Sequence, residues 1–86
     1  MNADVLWLDT AVSDLEKLTP GVAARVVARV DWLAENLDSV RLQALHGSFA
    51  GLFKLRVGDL RVVFEVDMSA SVVTVHFVRH RSEVYE

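Results

Sequence analysis

The spacing of apolar residues along the chain changes period part-way through. Residues 3–8 (Ala-Asp-Val-Leu-Trp-Leu) form a short apolar run that predicts a strand. The polar pair Asp9–Thr10 offers a helix N-cap, and Val12, Leu15 and Leu18 follow at helical spacing. Thr19–Pro20 predicts a second start, with Thr as N-cap and Pro at the first helical position. From there Val22, Val26, Val30, Leu33 and Leu37 form one apolar stripe, so a helix is expected from residue 20 to about 37. Residues 39–51 form a connector punctuated by Gly47 and Gly51. Beyond it the period falls to two. Residues 52–57, the dipeptide Gly58–Asp59 and residues 60–66 predict a β-hairpin. Residues 68–71 make a second turn, and residues 72–78 a further strand. The expected order is β-α-α-β-β-β within one domain spanning 1–86. This is an α+β fold with two helices packed on one face of a small antiparallel sheet.

Turn lengths set the register. A two-residue turn at Gly58–Asp59 pairs Val57 with Leu60, Leu55 with Val62 and Phe53 with Phe64, an all-apolar face. The other face then pairs Lys54 with Val63 and Arg56 with Arg61. A four-residue second turn sets Val66 against Val73, Phe64 against Val75 and Val62 against Phe77. It adds Glu65–Thr74, Val63–His76 and Arg61–Val78 to the polar face. Both turns divide the side chains in the same way, and a slip of one residue would exchange the faces.

Composition narrows the class. The chain has 86 residues, 52% of them hydrophobic and 24% charged, which suffices for a packed core and excludes intrinsic disorder. Charges interrupt every apolar stretch, so no membrane span is expected. The N-terminus lacks a signal-peptide pattern, and the expected location is the cytoplasm. There is no cysteine, which removes disulfides and thiolate metal sites. The net charge of −3 is unevenly spread. Residues 1–40 carry Lys17, Arg25 and Arg29 against seven acidic residues, whereas residues 41–86 carry Arg41, Lys54, Arg56, Arg61, Arg79 and Arg81 against five. That balance argues against general nucleic-acid binding but allows one local anionic site.

Arg56 opposite Arg61 is the most informative pair. Like charges across a strand pair destabilise by tenths of a kcal/mol up to about 1 kcal/mol. Either both guanidinium groups splay into water, with Glu65 and Asp59 in partial compensation, or they hold an anion such as phosphate. His76 on the same face is either a general acid or base or a solvated strand residue. His46 is expected in a loop, and Trp7 and Trp32 in the core or facing a partner. His46, His76 and His80 lack metal-ligand spacing, so neither metal nor cofactor is expected.

Residues 45–66 run Leu-His-Gly-Ser-Phe-Ala-Gly-Leu-Phe-Lys-Leu-Arg-Val-Gly-Asp-Leu-Arg-Val-Val-Phe-Glu-Val, and residues 80–85 read His-Arg-Ser-Glu-Val-Tyr. Together these stretches resemble the RelE/ParE superfamily of toxin–antitoxin toxins, and most closely its RelE branch. The resemblance covers residues 5–86 and implies the same β-α-α-β-β-β fold. It implies a toxin that enters the ribosomal A site and cuts mRNA without a metal, and that a cognate antitoxin neutralises in a toxin–antitoxin hetero-oligomer. By position in the motifs, the resemblance gives Lys54, Arg61, Arg81 and Tyr85 as catalytic. Lys54 would stabilise charge or act as base, Arg61 would clamp phosphate, Arg81 would serve the leaving group, and Tyr85 would stack on a base or shuttle a proton. Arg56, Arg79, His76 and His80 are candidate RNA or phosphate contacts, with Arg79 a rival to Arg81. The sequence departs from the family pattern at Leu52, where some members have a second lysine, and at Leu60 and Phe64, where tyrosines are usual. Two alternatives stand beside the ribonuclease: a ParE-like inhibitor of DNA gyrase without catalysis, and a non-cleaving binding module.

Overall fold

The computed structural model describes residues 2–84. Strand β1 (Asp4–Trp7) leads into helix α1 (Asp9–Glu16), followed by helix α2 (Pro20–Glu35). A two-residue strand β2 (Gln43–Ala44) precedes a 3-10 turn at Gly47–Phe49. Strands β3 (Phe53–Val57), β4 (Leu60–Asp67) and β5 (Val72–His80) form the meander, and a second 3-10 turn spans Arg81–Glu83. The five strands lie in the order β1-β5-β4-β3-β2.

The α+β architecture is the expected one, with two additions. Residues Gln43 and Ala44 of the expected connector pair with Lys54 and Phe53, giving a fifth strand. The sheet is also mixed, because β1 runs parallel to β5, with Asp4 beside Val72 and Trp7 beside Val75. The helices return the chain to the far edge at β2, and the antiparallel steps β2–β3, β3–β4 and β4–β5 then leave β5 running the same way as β1.

Helix α2 buries Val26, Val30 and Leu33, the predicted stripe, against Val62, Phe64, Val73, Val75 and Val78. Phe53 and Leu55 close that layer from β3, with the Phe53 and Phe64 rings 5.9 Å apart. Helix α2 starts at Pro20 with Thr19 as N-cap and ends at Asn36, whose side-chain amide donates to the Trp32 carbonyl at 2.8 Å. Trp7 is half-buried against the core, whereas Trp32 is 42% exposed beneath the Arg29 guanidinium.

The register of the first hairpin is as predicted, from Val57↔Leu60 through Arg56↔Arg61 to Phe53↔Phe64. Gly58 takes φ +59 at the first turn position, which an L side chain rarely adopts. The second hairpin starts in the expected register, with Val66↔Val73, Glu65↔Thr74 and Phe64↔Val75. It then shifts by one between Val63 and Phe64, where a β-bulge makes His76 the extra residue. Beyond the bulge Val63 faces Phe77, Val62 faces Val78, Arg61 faces Arg79 and Leu60 faces His80. The expected pairs Val62–Phe77, Val63–His76 and Arg61–Val78 are therefore replaced. The apolar doublet Phe77–Val78 satisfies the core in either phase, which is why alternation alone could not detect the shift.

The second sheet face is less open than expected. Leu45, Val63 and Val84 are buried there, with Phe49, Leu52 and Phe77 packed around them. The glycine-punctuated loop thus folds back as a lid over the middle of that face.

Phe64 is 1% exposed at the centre of the helix-facing layer. Phe64→Ala should therefore cost about 3–5 kcal/mol in denaturant-derived stability. The β4–β5 turn supplies a pH-dependent element. The Asp67 carboxylate accepts the Ala70 N–H at 2.9 Å and the Ser69 hydroxyl at 2.8 Å, which holds its pKa below the usual 3.8. A depressed carboxyl pKa contributes stability above the unfolded value and loses it as pH falls through the folded one. Asp67→Ala should lower the melting temperature at neutral pH, with the difference from the parent shrinking in acid below that value.

Candidate functional site: a cationic row on the second sheet face

Because of the bulge, Arg56, Arg61 and Arg79 stand side by side on three adjacent strands and on one face. Cross-strand neighbours of this kind lie roughly 4.5–5.5 Å apart at Cα. Three arginines in register raise the local positive potential, and mutual repulsion among like charges falls when an anion binds between them.

The three differ in setting. Arg61 is only 6% exposed. Its Nη1 donates to the carbonyls of Gly58 at 3.2 Å and Leu60 at 3.0 Å, so the hairpin turn orients it. Arg56 is exposed on β3. The Arg79 guanidinium lies over the Phe77 ring at 4.4 Å, and its Nε is 3.8 Å from Asp14 Oδ2. Phe77 is braced by Phe49, with ring centroids 5.7 Å apart.

Lys54 projects from the same face two residues back from Arg56, opposite Val63 and half-buried. Arg81 lies at the same end of the sheet, in the 3-10 turn after β5. Its N–H donates to the Asp59 carbonyl at 2.8 Å, and its Nε is 3.9 Å from Asp59 Oδ1. Thus Arg56, Arg61 and Arg79 share a register position near the hairpin end, Arg81 follows β5 there, and Lys54 lies one pair further along β3 on the same face. Tyr85 lies outside the described residues. Across the β3 edge, a concavity of about 150 Å³ brings Arg29 and Arg41 towards Lys54 and Arg56.

The histidines are placed elsewhere. His76 sits at the bulge with Nε2 3.0 Å from Glu65 Oε1, four residues along β4 from Arg61 and so roughly 13 Å away. His80 opens the last 3-10 turn, where its Nδ1 accepts the Ser82 N–H at 3.2 Å. Among the described residues, no three His, Asp or Glu side chains cluster as metal ligands, and no helix is long and apolar enough to cross a membrane.

Two residues that sequence reasoning missed shape the site. Asp14, on α1, accepts the Val78 N–H at 2.9 Å as well as meeting Arg79. Thr10, taken for a helix cap, instead donates its hydroxyl to the His76 carbonyl, and Leu8 holds the N-cap position. No local signal separates these uses from ordinary helix-surface polarity, because both partners lie more than sixty residues away.

The model of the ParE toxin of type II toxin–antitoxin systems matches residues 5–85. The chain belongs to the RelE/ParE superfamily of type II toxin–antitoxin toxins. A chain of the RelBE2 toxin–antitoxin complex of Mycobacterium tuberculosis is 30% identical, with a TM-score of 0.84 over 95% of this chain and 94% of that one. The RelE–RelB complex of Pyrococcus horikoshii gives 22% identity and a TM-score of 0.77, covering 98% of this chain and 100% of its counterpart. A YoeB/ParE toxin of Agrobacterium tumefaciens gives 17% and 0.73, covering 90% and 96%. No curated protein matches the sequence. The last two likenesses bear on the fold alone. In this RelE/ParE toxin Lys54, Arg56, Arg61 and Arg79 lie on the sheet face opposite the helices.

The arginine row makes a direct prediction. Arg56→Glu replaces a like-charge pair with an opposite-charge one, and should raise the stability of the protein by tenths of a kcal/mol up to about 1 kcal/mol. A polyanion seated on the row should be held more weakly by the same variant than by the parent. Thermal melts and a filter-binding titration check the two opposed shifts.

Proposed function

We propose that this toxin is an endoribonuclease that cuts mRNA in the ribosomal A site and is neutralised by a cognate antitoxin. The observation that carries the reading is the in-register row Arg56–Arg61–Arg79 with Lys54 beside it. A phosphodiester presents the planar anionic edge that guanidinium groups bind in pairs. The 2′-hydroxyl oxygen attacks the adjacent phosphorus, the bond to the 5′ oxygen breaks, and a 2′,3′-cyclic phosphate remains. Charge rises on the phosphoryl oxygens along that path, and preoriented cations act on it where they stand.

In this reading Arg61 and Arg79 clamp the scissile phosphate. Arg61 is held by the turn carbonyls, and Arg79 by Asp14 and Phe77. Lys54 stabilises developing charge or takes the hydroxyl proton. Arg81, exposed and tied to Asp59, takes an outer position nearer the leaving group, and Tyr85 serves as stacking group or proton shuttle. Arg56 and, across the β3 edge, Arg29 and Arg41 meet flanking phosphates. His76 and His80 are peripheral contacts. The reaction draws only on side chains and the substrate's own hydroxyl. Kinship with a chain solved in a toxin–antitoxin complex supports an antitoxin partner. The place of action is the cytoplasm, where mRNA is translated.

A second reading has one specific observation in its favour: the matching family model is that of the ParE toxin. Under it the same cations would bind DNA gyrase without cleaving anything. Mapping mRNA 5′ ends after controlled expression, alongside a gyrase supercoiling assay with purified protein, separates the two. Cuts within translated codons support the ribonuclease, and loss of supercoiling with intact messages supports the inhibitor. Arg79→Ala is the cleanest variant, because Arg79 is exposed whereas Arg61 is buried and its removal would also disturb packing. Arg79→Ala should lower the cleavage rate about a hundredfold, or ~3 kcal/mol, with the fold intact by circular dichroism.

A further inference from the structure

The cationic row exists only if Arg79 is delivered to the second face and kept there, and both tasks converge on one side chain outside the row. Strand β1 ends at Trp7, so beyond Val75 no strand among the described residues lies beside the outer edge of β5. Helix α1 runs along that edge instead. Thr10 donates to the carbonyl of the bulge residue His76, and Asp14 Oδ2 accepts from Val78 N–H at 2.9 Å. The same Asp14 oxygen lies 3.8 Å from Arg79 Nε. The Asp14 side chain is 15% exposed and that of Arg79 43%, so the carboxylate sits on the inner side of the pair. Phe77 supports the guanidinium from below at 4.4 Å. A guanidinium approached by a carboxylate at Nε still has its two terminal nitrogens to offer a phosphate.

We infer that Asp14 is a positioning residue for the anion site, a single carboxylate that locks the bulged backbone at Val78 and aims the Arg79 guanidinium. Backbone placement needs only an acceptor oxygen, which an amide also provides. Aiming Arg79 needs the negative charge, which an amide lacks. Asp14→Asn therefore separates the two roles, and Asp14→Ala removes both. The kinetic part of the test rests on the ribonuclease reading; the spectroscopic part does not.

The experiment compares parent, Asp14→Asn and Asp14→Ala. Amide hydrogen exchange at Val78 reads the backbone role, and the heteronuclear NOE at Arg79 Nε reads the order of the guanidinium. Cleavage of a ribosome-bound message gives kcat and KM. For Asp14→Asn we expect parental protection at Val78, a lower NOE at Arg79 Nε, and a kcat reduced about ten- to a hundredfold with KM little changed. For Asp14→Ala, exchange at Val78 accelerates as well. A merely structural Asp14 would move stability and exchange but leave Arg79 Nε and kcat of the Asn variant at parental values, and that result would overturn the inference. If the parent cuts no RNA, the ribonuclease reading falls, and the Arg79 measurement alone decides for or against the clamp.

Discussion

The one-residue bulge at His76 is the constraint on which the rest of the site depends. Side chains alternate along a strand with a period of two, so a residue inserted against β4 inverts the phase of everything after it. Up to Val75 the apolar residues of β5 face the helices. After the bulge Val78 takes over that task, and Phe77 and Arg79 turn to the opposite face. Without the shift, Arg61 would stand beside a valine and the second face would hold two arginines in register instead of three.

A bulge leaves backbone groups without regular ladder partners, and buried groups of that kind are costly unless something else bonds them. Here the end of β1 and the start of α1 resolve the problem together. Leu8 N–H continues the parallel ladder to the Val75 carbonyl at 3.0 Å, and then Thr10 and Asp14 take over from the helix side. Helix α1 therefore acts less as a core helix, with Ala11 its one fully buried residue, than as a polar substitute for a missing length of edge strand. It protects an edge that would otherwise be open to pairing with another chain.

The charge distribution follows the same division. The acidic first half forms the helical layer, and the basic second half supplies the opposite sheet face, so a chain of net charge −3 still presents a concentrated positive row. Arginine suits such a row because its planar fork of donors matches an anion's edge, and Arg61 is held in place at 6% exposure. Two turn carbonyls accept from it there, and its like-charged neighbours make an anion welcome.

The sequence by itself determined the helices, the core stripe Val26–Val30–Leu33 and the first hairpin, because these rest on local periodicity and on a turn of two residues whose chemistry is unambiguous. It also disclosed Arg56 beside Arg61, since a two-residue turn leaves one register. The family resemblance added Lys54, Arg79 and Arg81 as candidates. What it could not determine was any feature whose cause lies far away along the chain. The parallel pairing of β1 is decided by the last strand of the meander, which arrives beside it more than sixty residues later. The two-residue β2 carries too little pattern to stand out from its loop. The choice between Phe77 and Val78 for the core is neutral in local hydrophobicity. In the folded molecule Phe77 packs with Leu45, Val63 and Val84, and Thr10 and Asp14, more than sixty residues earlier, bond the β5 backbone on either side of it. Only the packed molecule brings those groups to the β5 edge, and with them the third arginine to the row.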